Sequence, residues 1–216
     1  MENLDLIAER IRASFDERTQ RRDQALAQTR TLTRHCANAI RAVHRDEIEI
    51  ADQNLNQARI LVGEIHKNLS DYPDLYHAGY TQDALKEYAE ACIVHALVNN
   101  ENLPTPEVLG LEHATYLKGL AESIGELRRR CLDILRHGYS DEAERLLGHM
   151  DDIYAVLVTM DYPDAVTGGL RRLTDIARSL NERTRGDMTI SLRQEHLEDS
   201  LRRLERRLID ENNSSL

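Results

Sequence analysis

The sequence predicts an all-α protein, on three observations. Only four prolines and ten glycines occur in 216 residues, while Leu, Ala, Glu and Arg abound, a composition that favours helix throughout. Apolar residues recur at helical spacing along stretches that contain neither Pro nor Gly. No segment alternates apolar and polar residues with the period of two that a half-buried strand needs. The architecture to expect is an antiparallel helical bundle of about seven main helices. The length suits one domain with a real core, over 1–211, followed by a disordered tail, NNSSL, over 212–216.

The first helix is expected from Asn3 to about Arg45, with Leu4, Ile7, Ala8, Ile11 and Phe15, then Leu26, Leu32, Cys36, Ile40 and Val43, at helical spacing. A helix this long outruns the usual globular range and is expected to cross a large bundle or a subunit interface. Its middle, ERTQRRDQALAQTRTLTR, is polar nearly all round. There Arg18, Arg21, Arg22, Arg30 and Arg34 form a first candidate nucleic-acid patch, although a solvated face is the commoner reason for such a run. A second helix runs from about Asp46 to Leu69, stopped by SDYP before Pro73. A third covers about Tyr80 to Val98, with Thr81 as cap, and the turn-rich NNENLPTPEVLG links it to a fourth, Leu111 to His137, closed by Gly138. Ser140 caps the next helix, which ends at DYP. GGLRRLTDIARSLNERTRGD forms another helix ending at Gly186, and a final helix covers about Ser191 to Ile209.

The formal net charge of −10 gives no bulk attraction to nucleic acid or to a membrane, so any contact with a polyanion must use local basic patches. Aromatics make up 4% with no Trp, which leaves the core to Leu, Ile, Val and Ala with a few Tyr. Cys36, Cys92 and Cys131 are odd in number, widely spaced and without a CxxC pair. They are expected to be buried, reduced thiols of a cytoplasmic protein. The amphipathic, acidic MENLDLIAERI lacks the apolar run of a signal peptide, and no stretch approaches the length of a membrane span.

Two segments place acids where apolar or small residues are expected. In KEYAEACIVHALV, Glu87 and Glu90 are three apart; in YLKGLAESIGELRRR, Glu122 and Glu126 are four apart, and each spacing puts two carboxylates on one helix face. Gly119 and Gly125 inside that second helix each cost roughly 1 kcal/mol relative to Ala, a cost that a close backbone approach would offset. If the two helices pack side by side, four carboxylates meet, and their repulsion must be relieved by raised pKa values or by a cation. Oxygen-only ligands favour Mg²⁺ or Mn²⁺ over zinc. The plainer alternative is that Glu126 bridges to Arg129 or Arg130 and that Glu87 or Glu90 faces water. Tyr88 is a candidate for stacking on a base, although Tyr on a mostly apolar helix is more often core.

KEYAEA, YLKGLAESIGELRRR, DYPDAVTGGLRRLTDIARSL and ERTRGDMT, together with a long first helix ending in IRAVHR, resemble the translin family. The resemblance covers nearly the whole chain and is closest to the catalytic branch, the proteins similar to translin-associated factor X (TRAX). It implies that Glu87, Glu90, Glu122 and Glu126 form an Mg²⁺-dependent ribonuclease site. Glu122 stands where the family commonly has Asp, one methylene shorter. Translin itself lacks this acid set and is a binding scaffold. The resemblance further implies closed homo-oligomers, typically octamers, enclosing single-stranded RNA or DNA, an arrangement in which a basic cavity coexists with an acidic exterior. Arg128, Arg129 and Arg130 then become candidates for anchoring the strand, against the alternative that they pair with neighbouring acids. Two other readings remain: a non-catalytic single-strand scaffold, and an all-α nucleotide pyrophosphohydrolase using ExxE and a second acidic pair. A di-iron bundle is disfavoured because neither acidic pair continues into ExxH.

Overall fold

The computed structural model describes residues 2–214, with side chains over 3–210. Among the described residues there are nine helices and no strand: α1 Glu2–His44, α2 Ile48–Leu69, α3 Pro73–Tyr76, α4 Gly79–Val98, α5 Pro106–Leu109, α6 His113–Leu135, α7 Asp141–Thr159, α8 Asp164–Thr167 and α9 Leu170–Ser214. Six are long, and α3, α5 and α8 are single turns. None of the helices is long and apolar enough to cross a membrane. The chain forms two compact units, one up to Ser123 and one from Ile124 onward.

In the first unit, α1, α2 and α4 pack on one another. α2 buries Ala51, Leu55, Ala58, Val62, Ile65 and Leu69, a stripe whose steps of three and four residues define one helix face. Between α2 and α4, α1 buries Ala25, Leu32, Cys36, Ala39, Ile40 and Val43. α1 and α2 run antiparallel: Gln28 meets Glu64 and Asn68, while His35 meets Asn54. α2 and α4 are antiparallel as well, with His95 near the end of α4 reaching Asp52 near the start of α2 at 3.0 Å. α4 is buried nearly all round, which explains its near-continuous small and apolar composition.

α6 departs from this alternation. Thr115 pairs with Gln82, and Gly119 lies against Lys86, Ala89 and Glu90, so residue numbers rise together and α4 and α6 run in the same sense. The segment 99–112 must therefore carry the chain back along α4, which accounts for its length and for the left-handed turns at Asn100 (φ 58°) and Gly110 (φ 68°). In the second unit, α7 and α9 pack antiparallel. Tyr154 lies near Arg178, Met150 accepts from Asn181 at 2.9 Å, and Leu147 and Gly148 face Met188 and Leu192, so residue numbers fall on α7 as they rise on α9.

Several local expectations change. Gly186 does not end a helix, because α9 continues unbroken through it, and one interior glycine costs too little to stop a helix that buries Thr184 and Met188 on either side of it. Thr81 lies inside α4 and donates its hydroxyl to the Leu75 carbonyl at 2.8 Å; Ala78 stands at the cap position. Ser140 does cap α7, accepting from the Glu142 amide. The expected tail over 212–216 starts inside α9, whose backbone is helical to 214, and 215–216 lie outside the described residues.

Candidate metal centre

Three helical turns of α6 face α4 in the first unit, and each makes a different contact. At the first, the Thr115 hydroxyl donates to Gln82 Oε1 at 2.6 Å, and Gln82 in turn donates to the Tyr76 carbonyl at 2.9 Å. At the second, a Cβ on Gly119 would meet Ala89 Cβ at 2.6 Å, the Lys86 carbonyl at 2.9 Å and the Glu90 amide at 3.0 Å. Only glycine allows that approach. At the third, Glu122 reaches the acids of α4. Gly125 has no such role, since a Cβ there would meet open space.

The close approach brings Glu87, Glu90 and Glu122 together: one carboxylate oxygen from each lies within 4.8 Å of the others. Glu90 is buried at 9% exposure, while the Glu87 and Glu122 side chains are about one-third exposed, at 33% and 29%. The set therefore has a closed inner wall and an open mouth. Glu126 lies one turn beyond Glu122 on the same helix, and Arg129 approaches it at 3.5 Å.

Lys86 is the residue at this cluster that sequence reasoning missed. Its Nζ lies 2.6 Å from Glu122 Oε2 and 3.6 Å from Glu87 Oε1, with the side chain 16% exposed. Burial works to lower its pKa, but the hydrogen bond to Glu122 and the charges of Glu122, Glu87 and Asp83 together outweigh burial and raise it. The ammonium thus stays protonated inside a cluster of three acids. A signal was present in KEYAEA, where the lysine directly precedes Glu87 and sits one turn before Glu90.

The surroundings carry the same negative field. Cys36, reaching in from α1, has its thiol pushed well up, chiefly by burial and further by the charges of Cys92, Glu87 and Glu90. Tyr88 is core: it is 1% exposed, and its hydroxyl interacts with Arg59 and Cys92, so it is not placed to stack on a base. All three cysteines are free and buried.

The arginines after the site divide by exposure. Arg128 donates to Thr184 at 2.9 Å and pairs with Asp187 at 2.9 Å, both on α9; Arg130 pairs with Glu142 of α7 at 3.6 Å. These two side chains are only 20% and 12% exposed. Arg129, at 54%, is open to solvent. Farther off, Arg18 pairs with Asp74, and both Arg18 and Arg21 lie 5.9 Å from the centre of the Tyr72 ring.

Three carboxylates with no nitrogen or sulfur donor make a set that fits a hard divalent cation, with water completing the shell. The cluster can therefore bind a metal ion.

No protein-family model matches the sequence. An uncharacterized protein of Methanocaldococcus jannaschii is 31% identical over 187 residues, 85% of this chain and 82% of that protein. Among solved structures, the crystal structure of AfC3PO and the structure of AfC3PO with duplex RNA each superpose with a TM-score of 0.78 at 32% identity, covering 85% of this chain and 95% of theirs. The crystal structure of apo-NeC3PO shares the fold at the same TM-score with 18% identity. AfC3PO is a C3PO of the translin/TRAX family. With relatives of this identity over most of both chains, the same all-α fold and the acid-bearing helices side by side, the chain belongs to the translin family, among its TRAX-like members.

Proposed function

We propose that this protein is an Mg²⁺-dependent endoribonuclease, with Mn²⁺ as the alternative ion, that hydrolyses single-stranded RNA inside a closed homo-oligomer. The observation that carries this reading is the convergence of Glu87, Glu90 and Glu122 from two helices into one partly buried, oxygen-only set. Glu126, on the next turn of α6, is assigned to the same centre as its fourth acid. When bound, a divalent ion supplies charge stabilisation at the phosphate and a more acidic water. Glu90, enclosed by the core, fixes the inner side of the site; Glu87 and Glu122 meet ligand from the solvent side. Arg129 is the member of the triplet free enough to reach a phosphate, while Arg128 and Arg130 hold α6 to α9 and α7.

RNA as the ligand class is supported by AfC3PO, 32% identical, which forms a complex with duplex RNA. Single-stranded RNA, single-stranded DNA and duplex are therefore all competitors to compare in binding. Family membership favours RNA over the mononucleotide substrate of a pyrophosphohydrolase. Oligomerisation is supported by exposed apolar stripes: Leu4, Ile7, Ile11 and Phe15 on α1, and Leu197, Leu201, Leu204 and Leu208 on α9, at helical steps of three and four. An octamer enclosing the strand is the assembly we assign, working in the cytoplasm, in keeping with three unpaired cysteines.

The scaffold reading has one observation in its favour: Lys86 and Arg129 already balance part of the acidic charge without an ion. Cleavage of a single-stranded RNA with Mg²⁺ or with chelator decides between the two. Glu87→Gln, Glu90→Gln, Glu122→Gln and Glu126→Gln should each lower cleavage by orders of magnitude while RNA binding stays equal or tightens. Wild-type rates in all four variants would make these acids structural and put the scaffold in place of the enzyme.

A further inference from the structure

The acidic centre already holds a cation. Lys86 spans a carboxylate from each helix, Glu87 of α4 and Glu122 of α6, at 3.6 and 2.6 Å, and its side chain is largely covered. A protonated ammonium has no lone pair, so it cannot ligate a metal; it can only occupy the carboxylates a metal would use. An ion shared by Glu87, Glu90 and Glu122 and an ammonium on the same oxygens would repel each other where solvent screens poorly. The lysine can leave, because its charge sits at the end of a flexible four-carbon stem. It also has somewhere to go: Asp83, one turn back on α4 and exposed, already attracts it.

We infer that Lys86 is the resident counter-ion of the acidic centre and competes with the divalent ion for Glu122 and Glu87, withdrawing toward Asp83 when the ion enters. The inference rests on the proposed function only in taking a divalent ion as the ligand of this cluster. Two consequences follow from charge. With no ion bound, the ammonium offsets the repulsion of three acids and so holds α4 and α6 together at the Gly119 contact. With ions present, a monovalent cation replacing the ammonium gains no charge, whereas a divalent one does, so Lys86 sets a threshold that favours divalent ions. Lys86 is thus a positioning residue for the centre, acting through Glu87 and Glu122.

The experiment compares the full-length wild type with Lys86→Met and Lys86→Arg, titrating Mn²⁺ calorimetrically without RNA and recording thermal melts in chelator and in saturating Mn²⁺. Lys86→Met should bind Mn²⁺ at least about tenfold tighter, melt lower in chelator, and recover the wild-type melting temperature when Mn²⁺ is saturating. Lys86→Arg, which keeps the charge, should follow the wild type in both. Lys86→Gln serves in place of Met, with the same expectations, if that variant fails to fold. Unchanged or weaker Mn²⁺ affinity in Lys86→Met, or equal tightening in Lys86→Arg, overturns the inference, as does a protein that binds no Mn²⁺ in any form. Tighter binding in Lys86→Met with no RNA cleavage by any form upholds the counter-ion and removes the ribonuclease. Normal cleavage with unchanged Mn²⁺ affinity does the reverse.

Discussion

Substituting Gly119 and Gly125 separately by Ala tests the helix contact on which the whole centre depends, because the two glycines share one helix but meet opposite surroundings. Either change raises helix propensity by about 1 kcal/mol. At Gly125 the added methyl enters open space, so the gain is uncompensated and the protein should become more stable by up to that amount. At Gly119 the methyl would sit 2.6 Å from Ala89 Cβ, 2.9 Å from the Lys86 carbonyl and 3.0 Å from the Glu90 amide. Two of these are backbone atoms and the third is fixed to backbone, so relief requires α4 and α6 to separate. Overpacking costs about 1–3 kcal/mol, and with no flexible side chain to yield we take the upper end, about 3 kcal/mol. Less the propensity gain, the net destabilisation is about 2 kcal/mol, or a melting temperature lower by roughly 4–8 °C for a chain of this size. Thermal melts at one fixed protomer concentration measure it, since assembly would make melting concentration-dependent. The same separation moves Glu122 away from Glu87 and Glu90, so Mn²⁺ affinity should fall in Gly119→Ala and hold in Gly125→Ala. If Gly119→Ala melts as high as Gly125→Ala, the close approach of α4 and α6 is refuted.

Light scattering at micromolar concentration should return a multimer, and Leu201→Glu combined with Leu204→Glu on the exposed stripe of α9 should reduce its size; a stable wild-type monomer would remove the enclosed-cavity arrangement. Affinity for single-stranded RNA should drop steeply between about 50 and about 200 mM salt, because phosphate contacts release counter-ions; equal affinity at both would exclude a basic inner surface. Burial pushes the Cys92 and Cys131 thiols from 9.0 up to about 12. In the unfolded chain these thiols lose protons near pH 9 while the folded protein retains them, so their contribution to stability is complete below pH 9 and is lost as pH rises toward 12. A melting temperature that stays constant from pH 8 to pH 11 would contradict that burial.

The sequence by itself determined the helical class, most of the helix ends and the acid spacing that puts Glu87 and Glu90 on one helix face and Glu122 on another, because these follow from near-neighbour chemistry. Pro73, the Ser140 cap and the acid spacing act within a few residues, where the chain has few alternatives. It also pointed to the reason for Gly119, since a helix tolerates such a residue best where another backbone comes close. Gly186 misled for the complementary reason: a local propensity of about 1 kcal/mol is outweighed where Thr184 and Met188, on either side of it, are buried. Only the tertiary structure decided that α4 and α6 run in the same sense, which sets Glu122 level with Glu87 and Glu90. Only it placed Lys86 on Glu122, withdrew Arg128 and Arg130 into ion pairs, and enclosed Tyr88 in the core. Spacing along a helix says which residues share a face, but the partner of that face depends on how the chain returns through 99–112, a path that sequence periodicity does not encode.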